Sequence, residues 1–238
     1  MINGDQKYPG YRFPIEIISH AVWLYHRFML SFRDVTEILL SRGIEVSHES
    51  IREWGFKFGP EFAKGTKKRT PRRGDKWHLD EMCIVMNGKK HWLFRAVDQD
   101  GYELDILLQS KRNKKAAKRF FRKLLKGLCY APRVMITDKL KSYAAAKKDI
   151  MPGVEHRQHK GLNNRAENSH QPTRQQEKQM RRFKSPKHVQ RFLSVHGQVK
   201  NLFFGGRYKN PASVCRKILQ TGFNTWAEIA HLPLCTYN

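Results

Sequence analysis

Three acidic residues, Asp80, Asp138 and Glu167, lie in segments whose patterns place them close together. Asp80 lies within a predicted strand, Asp138 ends another, and Glu167 opens a late helix. Two Mg²⁺ ions roughly 3.5–4 Å apart can clamp the attacking and leaving oxygens of a phosphoryl transfer, and they need oxygen ligands from separate elements. Mg²⁺ prefers carboxylates, water and substrate phosphates, so no set of His or Cys ligands is required. The three acids therefore predict a site for two Mg²⁺ ions, and the same oxygens would accept Mn²⁺.

Asp138 and Asp80 each carry a signal of their own. Asp138 follows the apolar residues 134–136, which places a charge beside a buried core. Its alternative role is to cap the next helix, and this role is compatible with metal binding. Asp80 lies inside a strand, where Asp is uncommon and an unpaired buried charge is costly, so a metal or a basic partner is expected. Glu81 points to the opposite face of that strand, which makes it the poorer ligand candidate.

The elements that must position these acids follow from a change of hydrophobic period after residue 74. The segments KWHLDEMCIVMNG, KHWLFRAVDQDG and YELDILLQS alternate apolar and polar residues and are joined at Asn-Gly and Asp-Gly turns, so they predict an antiparallel meander. A basic amphipathic helix (NKKAAKRFFRKLLKGL), a buried strand of the parallel type (PRVMITDK), a helix over residues 140–149 and a fifth strand (VEHRQH) follow. The order β-β-β-α-β-α-β, with a late helix over residues 164–182, predicts an α/β fold. This order is that of an RNase H-like sheet, so we expect an integrase-type catalytic domain with a mixed five-stranded sheet.

The N-terminal segment has a different pattern. Apolar residues recur at spacings of three and four between residues 15 and 54, which predicts three helices. A glycine turn signal and a Ser-rich start predict the second helix of a helix-turn-helix unit over residues 47–58. The second helix of such a unit enters the major groove, so the residues offered to DNA would be Ser47, His48 and Arg52. From this segment alone, a plain three-helix bundle packed on the next domain is an equal alternative.

Composition divides the chain into four parts. The segment GPEFAKGTKKRTPRRG is rich in Gly, Pro, Lys and Arg, which predicts a basic linker. Such a linker is a solvated tether, or it follows the phosphate backbone of DNA. The predicted parts are a small all-α helix-turn-helix domain (residues 1–58), the linker (59–74), the catalytic domain (75–204) and a C-terminal tail (205–238).

The charge balance indicates a polyanionic partner. The chain has 46 Lys and Arg against 21 Asp and Glu, a formal net charge of +25, and a sequence pI near 10.2. Nucleic acid is the expected partner, because each neutralised phosphate releases condensed counterions. A membrane is disfavoured because no stretch approaches the roughly 18 consecutive apolar residues of a spanning helix. A ribosomal protein is disfavoured because 39% hydrophobic residues, including 14 Phe, indicate a packed body. The N-terminus lacks the pattern of a secretion signal, so a cytoplasmic protein is expected.

Basic residues flank the predicted metal site. Lys139 and Arg165 adjoin the acids in sequence, and His170 and Arg174 follow Glu167 at spacings of three and seven. On one continuous helix the last two would share a face with Glu167 and could hold DNA phosphates near the metals. A solvated basic face is the equal alternative.

A zinc site is not expected. His156 and His159 have a suggestive spacing, but strand alternation sends their side chains to opposite faces. No matching second pair of histidines exists, and the four cysteines form no Cys-x-x-Cys motif.

Longer motifs resemble those of one known family. They are WHLDE, HWLFRAVD, LDILLQSKRN, ITDKLKSY, VEHRQHKGLNNRAENSHQPTR and RRFKSP. Together they resemble the insertion-sequence family six group of bacterial DDE transposases, over roughly residues 10–230. The resemblance implies that Asp80 in WHLDE, Asp138 in ITDK and Glu167 in NNRAEN are the three catalytic metal ligands.

The resemblance also implies an activity and its partners. The chain would be a DNA transposase that cleaves at the terminal inverted repeats of its element and joins the ends to target DNA, with movement through replicative cointegrates. Because two ends must be brought together, a homodimer or higher oligomer is expected, with residues 189–204 and the tail as candidate contacts. The protein would associate with the bacterial nucleoid. The alternatives are a catalytically inactive DNA-binding regulator and an RNase H-like nuclease that cuts without joining.

One spacing departs from the family. Only 28 residues separate Asp138 from Glu167, several fewer than in better-known members. The missing residues fall in the helix and turn before the fifth strand, so the shortening need not move Glu167. The rival third ligand, Glu177, would lie about 15 Å further along a continuous helix. We therefore favour Glu167.

Overall fold

The chain divides into two units, which are described separately. The computed structural model describes residues 7–69, 74–138, 140–158, 163–180, 182–204 and 210–231, apart from the side chains of residues 164, 165 and 167. One unit consists of residues 1–70 and 195–238, and the other of residues 71–194. Within the described ranges, none of the helices combines the length and the apolar character that a bilayer span requires.

The elements are numbered in chain order. The helices are α1 (Ile15–Arg27), α2 (Phe32–Leu40), α3 (His48–Arg69), α4 (Lys114–Leu128), α5 (Lys141–Ile150), α6 (Asn164–Ser169), α7 (Gln171–Gln179), α8 (Pro186–Leu202) and α9 (Ala212–Ile229). The strands are β1 (Lys76–Met86), β2 (Lys89–Asp98), β3 (Glu103–Gln109), β4 (Val134–Thr137) and β5 (Glu155–Gln158).

Helix α3 is longer than the sequence pattern indicates. The three N-terminal helices are present, but α3 continues to Arg69, so most of the segment predicted to be a linker is helical. The reason is a buried stripe of Phe58, Phe62 and Thr66, spaced one turn apart, which the Gly, Pro and Lys residues around it obscure in the sequence. Residues 70–73 of the predicted linker lie outside the described residues.

The predicted C-terminal tail contains a helix. Helix α9 packs on α3, and the ring centroids of Phe62 and Trp226 are 5.1 Å apart. The Tyr8 hydroxyl donates a hydrogen bond to the Ala230 carbonyl at 3.0 Å, which joins the start of the described chain to the end of α9. The N-terminal helices therefore share their core with the C-terminal segment, so they do not form a self-contained domain over residues 1–58.

The second unit contains the mixed five-stranded sheet that the sequence predicts. The strand order is β3-β2-β1-β4-β5. Strands β1, β2 and β3 form an antiparallel meander, and β4 pairs parallel to both β1 and β5. The first hairpin turns at Asn87 and Gly88, which have φ of 48° and 74°, as the Asn-Gly signal requires. This topology confirms the predicted RNase H-like fold.

The two faces of the sheet bury different elements. Helices α4 and α5 cover the face that carries Leu79 and Phe94, with Phe120 and Tyr143 fully buried against it. Helix α4 begins at an Asn113 cap and buries a stripe of apolar residues, while its basic residues stay outside. Helix α6 packs against β1 and β2.

The late helix is broken, whereas one helix over residues 164–182 was expected. Helix α6 ends at Ser169, and α7 begins at Gln171 with Pro172 in its first turn. Proline has no N–H to continue the hydrogen-bond ladder and disfavours helical geometry at the residue before it. The break changes where the side chains that follow Glu167 point.

Candidate active site

Strand pairing brings Asp80 and Asp138 together. In the parallel pair of β1 and β4, Leu79 lies opposite Thr137, so Asp80, within β1, lies beside Asp138, which follows the last residue of β4. One carboxylate oxygen each from Asp80, Glu81 and Asp138 lies within 4.8 Å of the others. Separate elements thus supply converging oxygens, as a site for a hard divalent cation requires.

The Asp138 carboxylate is held on both of its oxygens. Oδ1 accepts a hydrogen bond from the Leu140 backbone N–H at 3.0 Å. Oδ2 lies 3.5 Å from the Arg112 guanidinium. Leu140, rather than Asp138, is the N-cap residue of α5, and it makes no side-chain capping bond. Asp138 therefore fixes the turn before the helix and leaves its carboxylate at the edge of the acidic cluster.

The Asp80 carboxylate has a buried histidine partner. His170, in the break between α6 and α7, is 8% exposed, and its Nε2 lies 3.2 Å from Asp80 Oδ2. Burial lowers the pKa of His170, and the nearby Arg95 and Arg174 act in the same direction, while Asp80 opposes them. A neutral imidazole this close to the carboxylate restrains its orientation without adding a full charge.

Glu81 is a part of the site that sequence reasoning missed. Its side chain is fully buried on the opposite face from Asp80, as strand alternation predicts, yet its carboxylate still reaches the cluster. Arg112 donates to one oxygen of this carboxylate. Burial raises the pKa of Glu81 despite the opposing effects of the Tyr143 hydroxyl and Arg112, and the nearby Asp138 and Asp80 raise it further. No local pattern reveals the contact with Arg112, which lies 31 positions away in the chain.

Helix α6, which carries Glu167, is attached beside Asp80. The Asn163 side-chain amide, just before α6, donates a 2.9 Å hydrogen bond to the carbonyl of Leu79. Helix α6 also packs on β1 and β2. The backbone of Glu167 therefore lies in a helix anchored next to the Asp80 strand, and its side chain lies outside the described residues.

Arg95 fastens the same helices to the sheet. It lies directly opposite Asp80 in the pairing of β1 with β2 and is 2% exposed. Its guanidinium lies 3.1 Å from Glu103, donates to the Ser169 carbonyl, and donates to the Thr173 hydroxyl at 2.6 Å. The buried basic residue on this face is therefore engaged with α6 and α7.

Of the other residues predicted around the metals, the structure describes the side chain of Arg174. Arg174 is exposed and pairs with Glu177 at 3.1 Å, so it does not share the buried position of His170. Lys139 and the side chain of Arg165 lie outside the described residues.

The residues predicted to contact DNA in the N-terminal unit lie at the start of α3. Ser47 caps the helix by accepting a 3.1 Å hydrogen bond from the Ser50 N–H. His48 and Arg52 each contact Glu49, at 3.4 Å and 2.6 Å. Ser47 and Arg52 are exposed and His48 is half-buried, so this helix end is open to solvent within its own unit.

Among the described residues, the group with metal-ligand spacing is the all-carboxylate set of Asp80, Glu81 and Asp138. The ring of His156 instead contacts the Thr137 hydroxyl at 2.9 Å, and His159 lies outside the described residues.

Carboxylates from adjacent parallel strands of an RNase H-like sheet define a class of enzyme that transfers phosphoryl groups with bound metal. Comparisons with known proteins specify the family. The protein-family model for the IS240-type DDE domain of transposases matches residues 74–205 of this chain. The chain is 34% identical over 164 residues to the transposase for insertion sequence-like element IS431mec of Staphylococcus aureus, covering 67% of this chain and 73% of that protein. The identity and coverage are the same for the Staphylococcus aureus transposase for insertion sequence element IS257 in transposon Tn4003.

The chain therefore belongs to the insertion-sequence family six group of DDE transposases, and it is an enzyme of DNA transposition. Among solved structures, it is similar to the HTLV-2 integrase catalytic core domain in complex with magnesium. That similarity has a TM-score of 0.40 at 13% identity and covers 63% of this chain and 99% of that one.

Proposed function

We propose that Asp80, Asp138 and Glu167 hold the divalent metal with which this transposase cuts and joins DNA. The observation that carries the proposal is the convergence of Asp80 and Asp138 from adjacent parallel strands. The donor set fits Mg²⁺, because all of its atoms are carboxylate oxygens and the ion prefers such ligands with water and phosphate. Mn²⁺ accepts the same oxygens, and two ions would be bound.

The reaction runs in two phosphoryl transfers. In the first, a water oxygen bonds to the phosphorus at the element end while the bond from phosphorus to the 3′ oxygen breaks, which frees a 3′-OH. In the second, that 3′-OH bonds to a target phosphorus and displaces the target's own 3′ oxygen. Bound metal would activate the attacking oxygen and stabilise the leaving one. The protein's own acids orient these groups, and no covalent protein intermediate forms.

His170 would restrain the carboxylate of Asp80 without itself binding the metal. Its Nε2 lies 3.2 Å from Asp80 Oδ2, so the imidazole is placed to restrain that oxygen, and the other carboxylate oxygen would face the metal. Such outer-shell partners fix the direction of a metal ligand. His170 thus acts on the metal site, and the DNA-phosphate role predicted for it passes to the exposed Arg174. Lys139 and Arg165 remain candidates for phosphate contacts.

The N-terminal unit would recognise the terminal inverted repeats. Helix α2 ends at Leu40, Gly43 turns the chain with φ of 73°, and α3 begins at His48, with Ser47 and Arg52 exposed at its start. This arrangement supports a helix-turn-helix in which Ser47, His48 and Arg52 face the major groove.

Point substitutions are the appropriate test of this recognition, because removal of residues 1–58 would also expose the α9 contacts. We expect the double variant His48→Ala, Arg52→Ala to lose its preference for element ends over unrelated DNA in competition binding. The variant Arg216→Ala, on α9, should keep that preference. An unchanged preference in the double variant would contradict the assignment.

Two element ends must meet in one complex, so we propose a homodimer or higher oligomer acting on the nucleoid. Large apolar side chains exposed on α9, Val214, Leu219 and Phe223, support a protein contact there. Light scattering of the complex with paired element ends should give at least two protomers. A complex of one protomer with two joined ends would exclude the proposal.

Cleavage of a labelled element end, with Mg²⁺ and with EDTA, tests the metal site. We expect Asp80→Asn and Asp138→Asn to lower the cleavage rate by roughly 100- to 1,000-fold, because bound metal supplies several kcal/mol of transition-state stabilisation. Asp149→Asn is the matched control, since Asp149 pairs with Lys114 on the surface. Cleavage by Asp138→Asn at the wild-type rate would show that the assignment is wrong.

A further inference from the structure

Glu81 is a buried acid whose position a metal-ligand role does not explain. Its side chain has no exposure, and Arg112 donates both Nε–H and Nη2–H to the same oxygen, Oε1. The other oxygen is buried on the side of Tyr143, and no described residue gives it a hydrogen bond of ordinary geometry. A buried carboxylate is costly unless it is paired, so Arg112 is the partner that makes this position tolerable.

Arg112 is fixed in place by more than Glu81. Its guanidinium lies over the ring of Trp92, 5.0 Å from the centroid, and its side chain is about one-third exposed. The nitrogen Nη2 that meets Glu81 also lies 3.5 Å from Asp138 Oδ2. The planar fork of arginine can bridge two carboxylates in this way, which a lysine ammonium does less well.

Asp138 depends on this bridge for its orientation. It follows the last residue of β4, and the Leu140 N–H restrains only one of its oxygens. Without a donor on Oδ2, the Leu140 N–H would be the remaining contact of the carboxylate within the described part of the chain, and the carboxylate could rotate about it. The chain from Glu81 through Arg112 to Asp138 therefore joins a fully buried anchor to a half-buried candidate ligand.

We propose that Glu81 and Arg112 are a positioning pair, in which Glu81 holds Arg112 and Arg112 sets the Asp138 carboxylate for metal binding. The inference rests on the proposed role of Asp138 as a ligand. Glu81, which lies in the cluster with Asp80 and Asp138, would then position a ligand and would not itself bind the metal. Asp80 and Asp138 would thus each have an outer partner, His170 for the first and Arg112 for the second.

The test is Mn²⁺ binding by the full-length protein, measured by electron paramagnetic resonance of the free ion, for Glu81→Gln, Arg112→Met and the double variant. Loss of an outer-shell partner typically weakens metal affinity by 10- to 100-fold, so we expect each single variant to bind about 10-fold more weakly. Because both residues act through one bridge, the double variant should lose little more than either single variant. Arg119→Met, an exposed arginine on α4 that contacts Gln109, should bind Mn²⁺ as the wild type does.

Several outcomes would overturn the proposal. If Glu81 is itself a ligand, Glu81→Gln will lose as much affinity as Asp138→Asn, and Arg112→Met will bind normally. If Arg112 only competes with the metal, Arg112→Met will bind Mn²⁺ more tightly. Multiplicative losses of Mn²⁺ affinity in the double variant would also exclude a shared bridge.

If Glu81→Gln does not fold, Arg112→Met alone decides the test. Weaker Mn²⁺ binding by Arg112→Met would then support the proposal, and unchanged or tighter binding would contradict it. Unchanged binding by Asp80→Asn and Asp138→Asn would instead refute the proposed metal site.

Discussion

The acidic cluster and the first turn of α3 are both candidate functional regions, but their side chains differ in how firmly the surrounding contacts fix them. In the cluster, His170, Arg112 and Leu140 fix the carboxylates through buried or half-buried contacts. At the start of α3, the contacts are local and near the surface: a helix cap, pairs with Glu49, and Arg52 over the ring of Phe56. Phosphoryl transfer needs ligands fixed within a fraction of an ångström, whereas groove recognition needs side chains that can adjust to DNA. The difference predicts where substitutions will be most damaging.

The largest effect on stability should come from the arginine that fastens α6 and α7 to the sheet. Replacing Arg95 with Met removes a buried cation that lies 3.1 Å from Glu103, an acid that is 12% exposed, and it also removes the donors to Ser169 and Thr173. Breaking a buried pair on one side costs about 3–5 kcal/mol, and we expect the free energy of unfolding to fall by that amount in urea denaturation.

An exposed ion pair in the same unit provides the control for Arg95. Arg133 and Asp75 are 2.9 Å apart but are both more than half exposed. Arg133→Met should therefore change the free energy of unfolding by less than about 1 kcal/mol. If Arg95→Met and Arg133→Met lowered the free energy of unfolding equally, burial of the ion pair would not explain its contribution to stability.

An intermediate effect is expected at the start of α3. Ser47→Ala removes the side-chain acceptor for the Ser50 N–H and should lower the free energy of unfolding by about 1 kcal/mol. Mn²⁺ affinity should not change, because this contact lies in the other unit. A loss of Mn²⁺ affinity equal to that of Arg112→Met would remove the distinction drawn between the two regions.

The smallest effect should be a pH dependence in the N-terminal unit. Burial lowers the pKa of His20 below its ordinary value of 6.5, and the nearby Arg42 acts in the same direction. The folded state thus disfavours protonation, so the contribution to stability is complete above the unfolded pKa and is lost as the pH falls through the folded pKa.

Unfolding in urea at about pH 7.5 and about pH 5 would measure this contribution. The wild type should lose more stability than His20→Gln over that interval. Identical losses for the two proteins would exclude His20 as the source of the pH dependence.

Local patterns predicted most of the catalytic fold. The two-residue period of β1 and the Asn87-Gly88 turn identified the meander, and the apolar run of β4 placed Asp138 at the end of a parallel strand. These features depend on neighbours within a few residues, so the sequence displays them directly. The juxtaposition of Asp80 and Asp138 followed from the order of the elements and is confirmed by the pairing of β1 with β4.

The features that the sequence did not predict depend on contacts between distant segments of the chain. The extension of α3 is stabilised by packing against α9, about 160 residues away, which overrides its Gly and Pro content. The contact of Glu81 with Arg112 depends on where α4 begins after the meander is complete. The break between α6 and α7 places Pro172 in the first turn of α7, where a proline is tolerated; the sequence pattern alone predicts one helix, in which this proline would lie in the interior.

The most direct test of the central claim is strand transfer of a labelled element end into plasmid DNA, with Mg²⁺ and with EDTA. It compares the wild type with Glu167→Gln and with Glu177→Gln, since Glu177 is the rival acid and pairs with Arg174. We predict that joining requires Mg²⁺, falls by roughly 100-fold or more in Glu167→Gln, and persists in Glu177→Gln. Wild-type joining by Glu167→Gln, or joining in EDTA, would contradict the assignment of the third metal ligand and the metal-dependent mechanism respectively.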